Sequence, residues 1–251
     1  MTPTYIRTRK SLAVIPGESS RARPFLVSFS GIDGAGKSTQ IETLRSALTA
    51  SGLRVRIITF WDDVAALTRC REAAGSTLFK GEKGIGTPER PVNRRDKNVR
   101  SWYLTAARFL LYFLDAISLR LVARKTTGAN VVIFDRYIYD QLANLSLHTF
   151  FIKLYACLLL RLVPKPDVAY LLDADPHQAR ARKPEYPVEF LTRSRTAYAI
   201  LAQIGGMTTI AFAPVPVVAE SVMQHLLHKL PVAEQNHAAP ARVGSLSEPA
   251  S

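Results

Sequence analysis

Hydrophobic and polar positions alternate in two rhythms along this 251-residue chain. Short apolar runs at Phe25 to Phe29, Val55 to Phe60, Val131 to Phe134, Val168 to Leu172 and Thr208 to Phe212 are bounded by turn residues and predict five strands. Between them the apolar positions recur with helical spacing, as at Ile41, Leu44 and Leu48. Strands alternating with helices predict an α/β fold, a parallel sheet with helices on both faces. Two helical stretches, Phe109 to Ala123 and Phe150 to Val163, are apolar nearly throughout. Charge interrupts both, and both are shorter than the roughly 20 residues of a membrane span. They are expected as buried helices rather than spans, with an exposed apolar face making a dimer contact as the alternative.

Composition adds boundaries. The pattern supports one domain over 24–232, preceded by a flexible leader (1–23) and followed by a disordered, polar, proline-containing tail (233–251). In the leader, Leu12 to Ile15 is too short for a signal-peptide core, and no targeting segment is expected. Cys70 and Cys157 are too few for a disulfide framework or a zinc site, which suits a reducing compartment and a cytoplasmic location. A net charge of +13 favours anionic partners, nucleotides first and nucleic acid or anionic lipid next, against the plainer reading of a solvated basic surface.

The chemistry begins after the first strand. Gly31, Gly36, Lys37 and Ser38 fit G-x-x-x-x-G-K-[ST], between an apolar strand and an amphipathic helix as that motif requires. Glycines let successive backbone N–H groups converge on an anion, and the following helix adds the positive end of its dipole. A ligand-free turn needs neither the lysine nor the serine. Gly31, Asp33, Gly34, Ala35, Gly36, Lys37, Ser38 and Thr39 form the expected nucleotide-binding set, with Lys37 on the β- and γ-phosphates and Ser38 on Mg²⁺. The strand VVIFD then ends in Asp135, where a carboxylate can hold Mg²⁺ opposite a phosphate loop, with Arg136 beside it to neutralise phosphoryl oxygens. Such an aspartate can equally cap the next helix.

GIDGAGKSTQ, DRY and PDVAYLLDADP, the last followed by an arginine-bearing segment, resemble the thymidylate kinase family in order and spacing, over roughly Phe25 to Leu230. The resemblance implies a P-loop kinase fold, ATP and Mg²⁺ as cofactors, a deoxynucleoside monophosphate acceptor in nucleotide biosynthesis, frequent homodimerisation and a mobile lid, here 176–196. It also implies roles. Asp33 corresponds to the carboxylate that meets the acceptor sugar, and Asp135 with Arg136 to the phosphate-end pair. Tyr112 falls near the aromatic that stacks on the acceptor base. Because the phosphate loop lacks an arginine, the lid is expected to supply it, with Arg180 and Arg182 as first candidates. Any one of these arginines also reads as part of a solvated helix face.

On the acceptor side the chain departs from the family. Where the family continues strand two into an Arg-Glu-Pro-Gly turn, this chain reads FWDDVAALTRC. Where the family has an arginine four residues after the stacking aromatic, it has Ala116, with Arg120 one turn later. A basic insertion, 76–102, carries Arg94, Arg95 and Lys97 among its cations and reads either as surface or as a clamp on the acceptor. The leading expectation is thus a nucleoside monophosphate kinase binding its acceptor with Asp33, Asp62, Tyr112 and Arg136. A second is a kinase of a hydroxyl acceptor, in which Asp62 or Asp63 takes the proton. A third is a nucleotide-binding switch or nucleic-acid-associated protein, which the lack of aromatics interleaved with the basic residues disfavours.

Overall fold

The computed structural model describes residues 23–65, 102–126 and 128–230. The expected leader up to residue 22, the basic insertion up to residue 101 and the tail lie outside the described residues, as do Cys70, Arg94, Arg95 and Lys97.

All five expected strands form: β1 (Phe25–Ser30), β2 (Val55–Thr59), β3 (Val131–Asp135), β4 (Val168–Leu172) and β5 (Thr208–Ile210). They make one parallel sheet in the order β2-β3-β1-β4-β5. The helices between them are α1 (Lys37–Ala50), α2 (Trp102–Arg124), α3 (Ile138–Leu142), α4 (Phe150–Leu162), α5 (Pro176–Arg182), α6 (Val188–Gly205) and α7 (Val215–Lys229). Strand alternation sorts the core into two layers. Phe25, Val27, Phe29, Ile133 and Tyr170 face a cluster completed by Ile41, Leu44 and Leu48 of α1 and Val218, Val222 and Leu226 of α7. Leu26, Val132, Phe134 and Leu171 face the other cluster, with Leu119 of α2, Leu142 of α3, Leu159 of α4 and Leu201 of α6.

The strand order determines where a ligand can enter. β1 connects toward β2 and its neighbour β4 toward β5, so the two connections diverge at their carboxyl ends and leave a crevice there. The glycine-rich loop follows β1 into that crevice.

The two very apolar stretches do form helices, but they are not buried all round. Leu110 and Leu121 of α2 and Phe150, Phe151, Leu154 and Leu158 of α4 are at least half exposed. Periodicity correctly marked the inward face. The outward face is apolar as well.

Close packing explains one loop glycine and conformation another. Gly34 lies at φ +83°, and a Cβ there would stand 2.3 Å from the carbonyl oxygen of Ala179 in α5. Gly36 lies at φ +88° with open space around it. Both alanine substitutions carry the left-handed penalty of about 1–2 kcal/mol, but only Gly34→Ala also has to displace α5. Urea unfolding is therefore expected to show Gly34→Ala as clearly the more destabilised of the two; equal losses would mean that α5 does not press on the loop.

Candidate phosphate-transfer site

The loop between β1 and α1 is held tightly at its base. The Ala35 amide donates to the Ile32 carbonyl at 3.2 Å, and left-handed Gly36 starts α1. The helix begins with no side-chain cap and no acidic residue in its first turn, so its initial N–H groups and dipole remain for an anion. Lys37 is buried, and its ammonium donates to the carbonyls of Gly31 at 2.7 Å and Ile32 at 2.9 Å. Burial and then the Arg136 charge pull it down to about 8, against the opposing pull of Asp140, Asp33 and Asp135. Ser38 and Thr39 stand exposed on the first turn.

The second component arrives from β3. Its last residue, Asp135, lies in register with Phe29 of β1, and the Arg136 amide donates to the Phe29 carbonyl at 3.1 Å. Arg136 has φ 70°, the one non-glycine residue with positive φ among the described residues. Strain of this kind persists where surrounding contacts fix it, often at functional sites. Here the guanidinium donates from Nη2 to Oδ1 of Asp33 at 2.5 Å, tying the end of β3 to the phosphate loop. Burial would raise the Asp33 carboxyl, but the charges of Arg136 and Lys37 prevail and hold it below its ordinary range. For Asp135 burial wins over the same two cations, helped by Asp140 and Asp33, and the carboxyl is raised.

A third carboxylate, Asp140, was missed by sequence reasoning. It is buried and accepts from the Ser30 hydroxyl at 2.6 Å, the Tyr198 hydroxyl at 2.8 Å and the Tyr137 amide at 2.9 Å. It thereby joins the end of β1, the turn after β3 and α6. The available signal was an acidic residue inside the mostly apolar run YIYDQLA, where burial forces a carboxylate to find partners.

The segment expected as a lid packs against the loop through α5. Asp175 caps α5, accepting from the His177 and Gln178 amides at 3.0 Å each, and the helix meets the loop where Gly34 abuts Ala179. Arg180, half-buried, directly follows that contact. Arg182 instead lays its guanidinium over the Phe212 ring, 4.9 Å from the centroid, and donates to the Gln178 carbonyl. Arg195 is clamped on both oxygens of Asp173 at 2.6 Å.

On the acceptor side, β2 runs into a π-helical turn, Phe60–Val64, closed by the Ala65 amide donating to the Phe60 carbonyl at 2.8 Å. Asp63 is used locally, accepting from the Thr59 amide at 2.8 Å, whereas Asp62 is exposed beside Trp61. Single-turn π segments concentrate at functional sites. Tyr112 is only 7 % exposed and belongs to the core, and Ala116 is wholly buried. Arg120 is not displaced toward the acceptor. It donates to the Leu162 carbonyl and lies with Leu26 and Gly128 at the amino ends of the strands, opposite the loop, because α2 carries it there.

No family model matches the chain, and no curated protein matches it. Among solved structures it is similar to a thymidylate kinase from Ehrlichia chaffeensis, with 18% sequence identity, 82% of this chain and 99% of that chain covered, and a TM-score of 0.51. The five-stranded parallel sheet with its flanking helices is a P-loop kinase fold of the thymidylate kinase type.

Two outcomes test the charge network. Tyr198→Phe removes one bond to a buried carboxylate and is expected to cost about 1.5–3 kcal/mol in urea unfolding; no loss would mean that Asp140 is satisfied without α6. For Lys37, the folded value near 8 lies below the ordinary 10.5. Between those pH values the unfolded chain holds a proton that the folded chain does not, so stability from this group rises with pH across the window, and below it the buried ammonium is a cost. Relative to Lys37→Met, the wild type should therefore gain stability between pH 7.5 and 9.5.

Proposed function

We propose that the chain transfers the γ-phosphoryl group of ATP to an anionic acceptor of the nucleoside monophosphate class, with a dTMP-like nucleotide as the leading candidate. The observation that carries this reading is Arg136, held in a left-handed conformation and paired with Asp33 of the loop beside Lys37. That geometry brings cations from two strand ends to one place, as transfer between two phosphates requires.

The residues fit both cofactors. An uncapped helix start, open space at Gly36 and the ammonium of Lys37 suit a triphosphate. Magnesium bound with a nucleotide takes one or two protein ligands and completes its shell with phosphate oxygens and water, for which Ser38 and Asp135 suffice. Three carboxylates, Asp33, Asp135 and Asp140, outnumber the two cations Lys37 and Arg136, so a metal ion would also reverse a charge balance unfavourable to a bare polyphosphate. When bound, the metal would neutralise phosphoryl oxygens. Arg136 would orient the transferring group, Arg180 would approach it from the lid, and α5 would limit the access of water. A monophosphate acceptor supplies its own anionic oxygen, which agrees with Asp63 being used as a local cap. Exposed Asp62 keeps the hydroxyl-acceptor reading as the second choice.

ADP release with Mg-ATP and a panel of nucleosides and nucleoside monophosphates tests the proposal. Monophosphates are expected to be consumed in preference, and Lys37→Ala to abolish transfer in a folded protein. Asp62→Asn should leave kcat within a few fold, while Asp63→Ala, which removes the acceptor for the Thr59 amide, should lower stability by about 0.5–2 kcal/mol as lost caps do. A fall of two to four orders of magnitude in kcat for Asp62→Asn, with nucleosides consumed, would transfer the assignment to the hydroxyl-acceptor class.

A further inference from the structure

Four cations surround a cavity that phosphoryl transfer does not use. The cavity, of about 610 Å³, lies at the amino ends of the strands, whereas the glycine-rich loop follows the carboxyl end of β1. Arg23 reaches it from just before β1, Arg120 and Arg124 from the last turns of α2, and Lys165 from the segment between α4 and β4. Leu26 and Pro164 add apolar wall. The volume is that of a small-molecule site, for which about 300–1,000 Å³ is usual.

Two of the four cations are held in place by the fold. Arg23 donates from both terminal guanidinium nitrogens to Asp167, at 3.1 and 2.8 Å, and Asp167 also accepts from the Leu26 amide at 2.8 Å. Arg120 donates to the Leu162 carbonyl at 2.9 Å. Each keeps further N–H groups, since a guanidinium has five. Arg124 and Lys165 are exposed on the same cavity. The negative end of a helix dipole explains basic residues in the last turns of α2. It does not bring Arg23 and Lys165, which lie outside the helices, to the same place. The walls are fixed as well: the Tyr137 hydroxyl donates to the Pro164 carbonyl, and the buried Thr126 donates from its hydroxyl to the Ala123 carbonyl at 2.6 Å. Walls and guanidiniums fixed in advance lower the ordering penalty of binding.

We propose that this cavity is a second anion site, taking a small molecule with two or more linked phosphates. A guanidinium meets phosphate oxygens through paired N–H donors, and cations arriving from three segments of the chain suit several linked charges better than a single one. The apolar wall admits a nucleoside beside the phosphates, so bare polyphosphates and nucleotides share the chemistry that the site recognises. Because the cavity and the glycine-rich loop lie at opposite ends of the strands, both can be filled at once.

Equilibrium dialysis of the full chain with inorganic pyrophosphate and magnesium counts the sites. Two equivalents per chain are expected. Arg124→Ala with Lys165→Ala should weaken one of them at least tenfold, and that one should also weaken as salt is raised, whereas Lys37→Ala should weaken the other. Both substituted cations are exposed, so an unchanged circular dichroism melt and unchanged ADP release with Mg-ATP and acceptor should accompany the loss. In a parallel dialysis with ADP, a second equivalent sensitive to the same pair assigns the site to nucleotides, and its absence assigns it to bare polyphosphates. If the pair removes an equivalent of pyrophosphate and Lys37→Ala does not, this site stands and the reading of the loop fails. Pyrophosphate binding that Arg124→Ala with Lys165→Ala leaves unchanged overturns the proposal.

Discussion

Asp140 is the point on which the site depends. A carboxylate removed from water carries a desolvation penalty of several kcal/mol unless its oxygens are satisfied, and the three donors that satisfy it come from three different elements. Ser30 ends the central strand that launches the glycine-rich loop, the Tyr137 amide belongs to the turn that holds Arg136 in its left-handed conformation, and Tyr198 sits on α6. Loop, arginine turn and α6 are thus joined through one buried charge. Its negative field also reaches Arg136 and Lys37, offsetting part of the cost of burying two cations.

Like charges so close have opposing effects on one another. Burial lowers Lys37 and raises Asp135, whereas Arg136 holds Asp33 ionised. Two aspartates in the field of the same cations therefore differ in proton affinity, because Asp33 has a direct bond to the guanidinium and Asp135 is shifted chiefly by loss of solvent. The ion pair spends the reach of Asp33 on Arg136, which fixes the arginine ahead of any substrate. Groups fixed in advance need no reorganisation when charge moves.

Much of this was legible in the sequence. Five short apolar runs gave five strands, since a buried parallel strand needs a continuous apolar segment and little else. The glycine-rich turn between β1 and α1 was legible because its glycines stand at fixed spacing between an apolar strand and an amphipathic helix. Asp140 was not, because its role depends on partners 58 and 110 residues away. Asp63 read as a free carboxylate only because the π-helical turn that brings it to the Thr59 amide has no spacing signature. The position of Arg120 was not legible either: counting along a helix gives a residue's face but not which end of the sheet it reaches, and α2 carries Arg120 to the amino ends of the strands.

The outward faces of α2 and α4 mark a further limit of periodicity. An apolar pattern continuing around a helix predicts burial on all sides, and burial needs a second surface. The sheet provides that surface for Leu119 and Leu159. For Phe150, Phe151 and Leu154 no described element does. Leaving such side chains in water forgoes roughly 1.5–3 kcal/mol each, a loss that the fold does not require, since polar residues at these positions would hold α4 on the core equally well. On these two helices the exposed charges are cations, among them Arg120, Arg124, Lys153 and Arg161, and their one acid, Asp115, is buried.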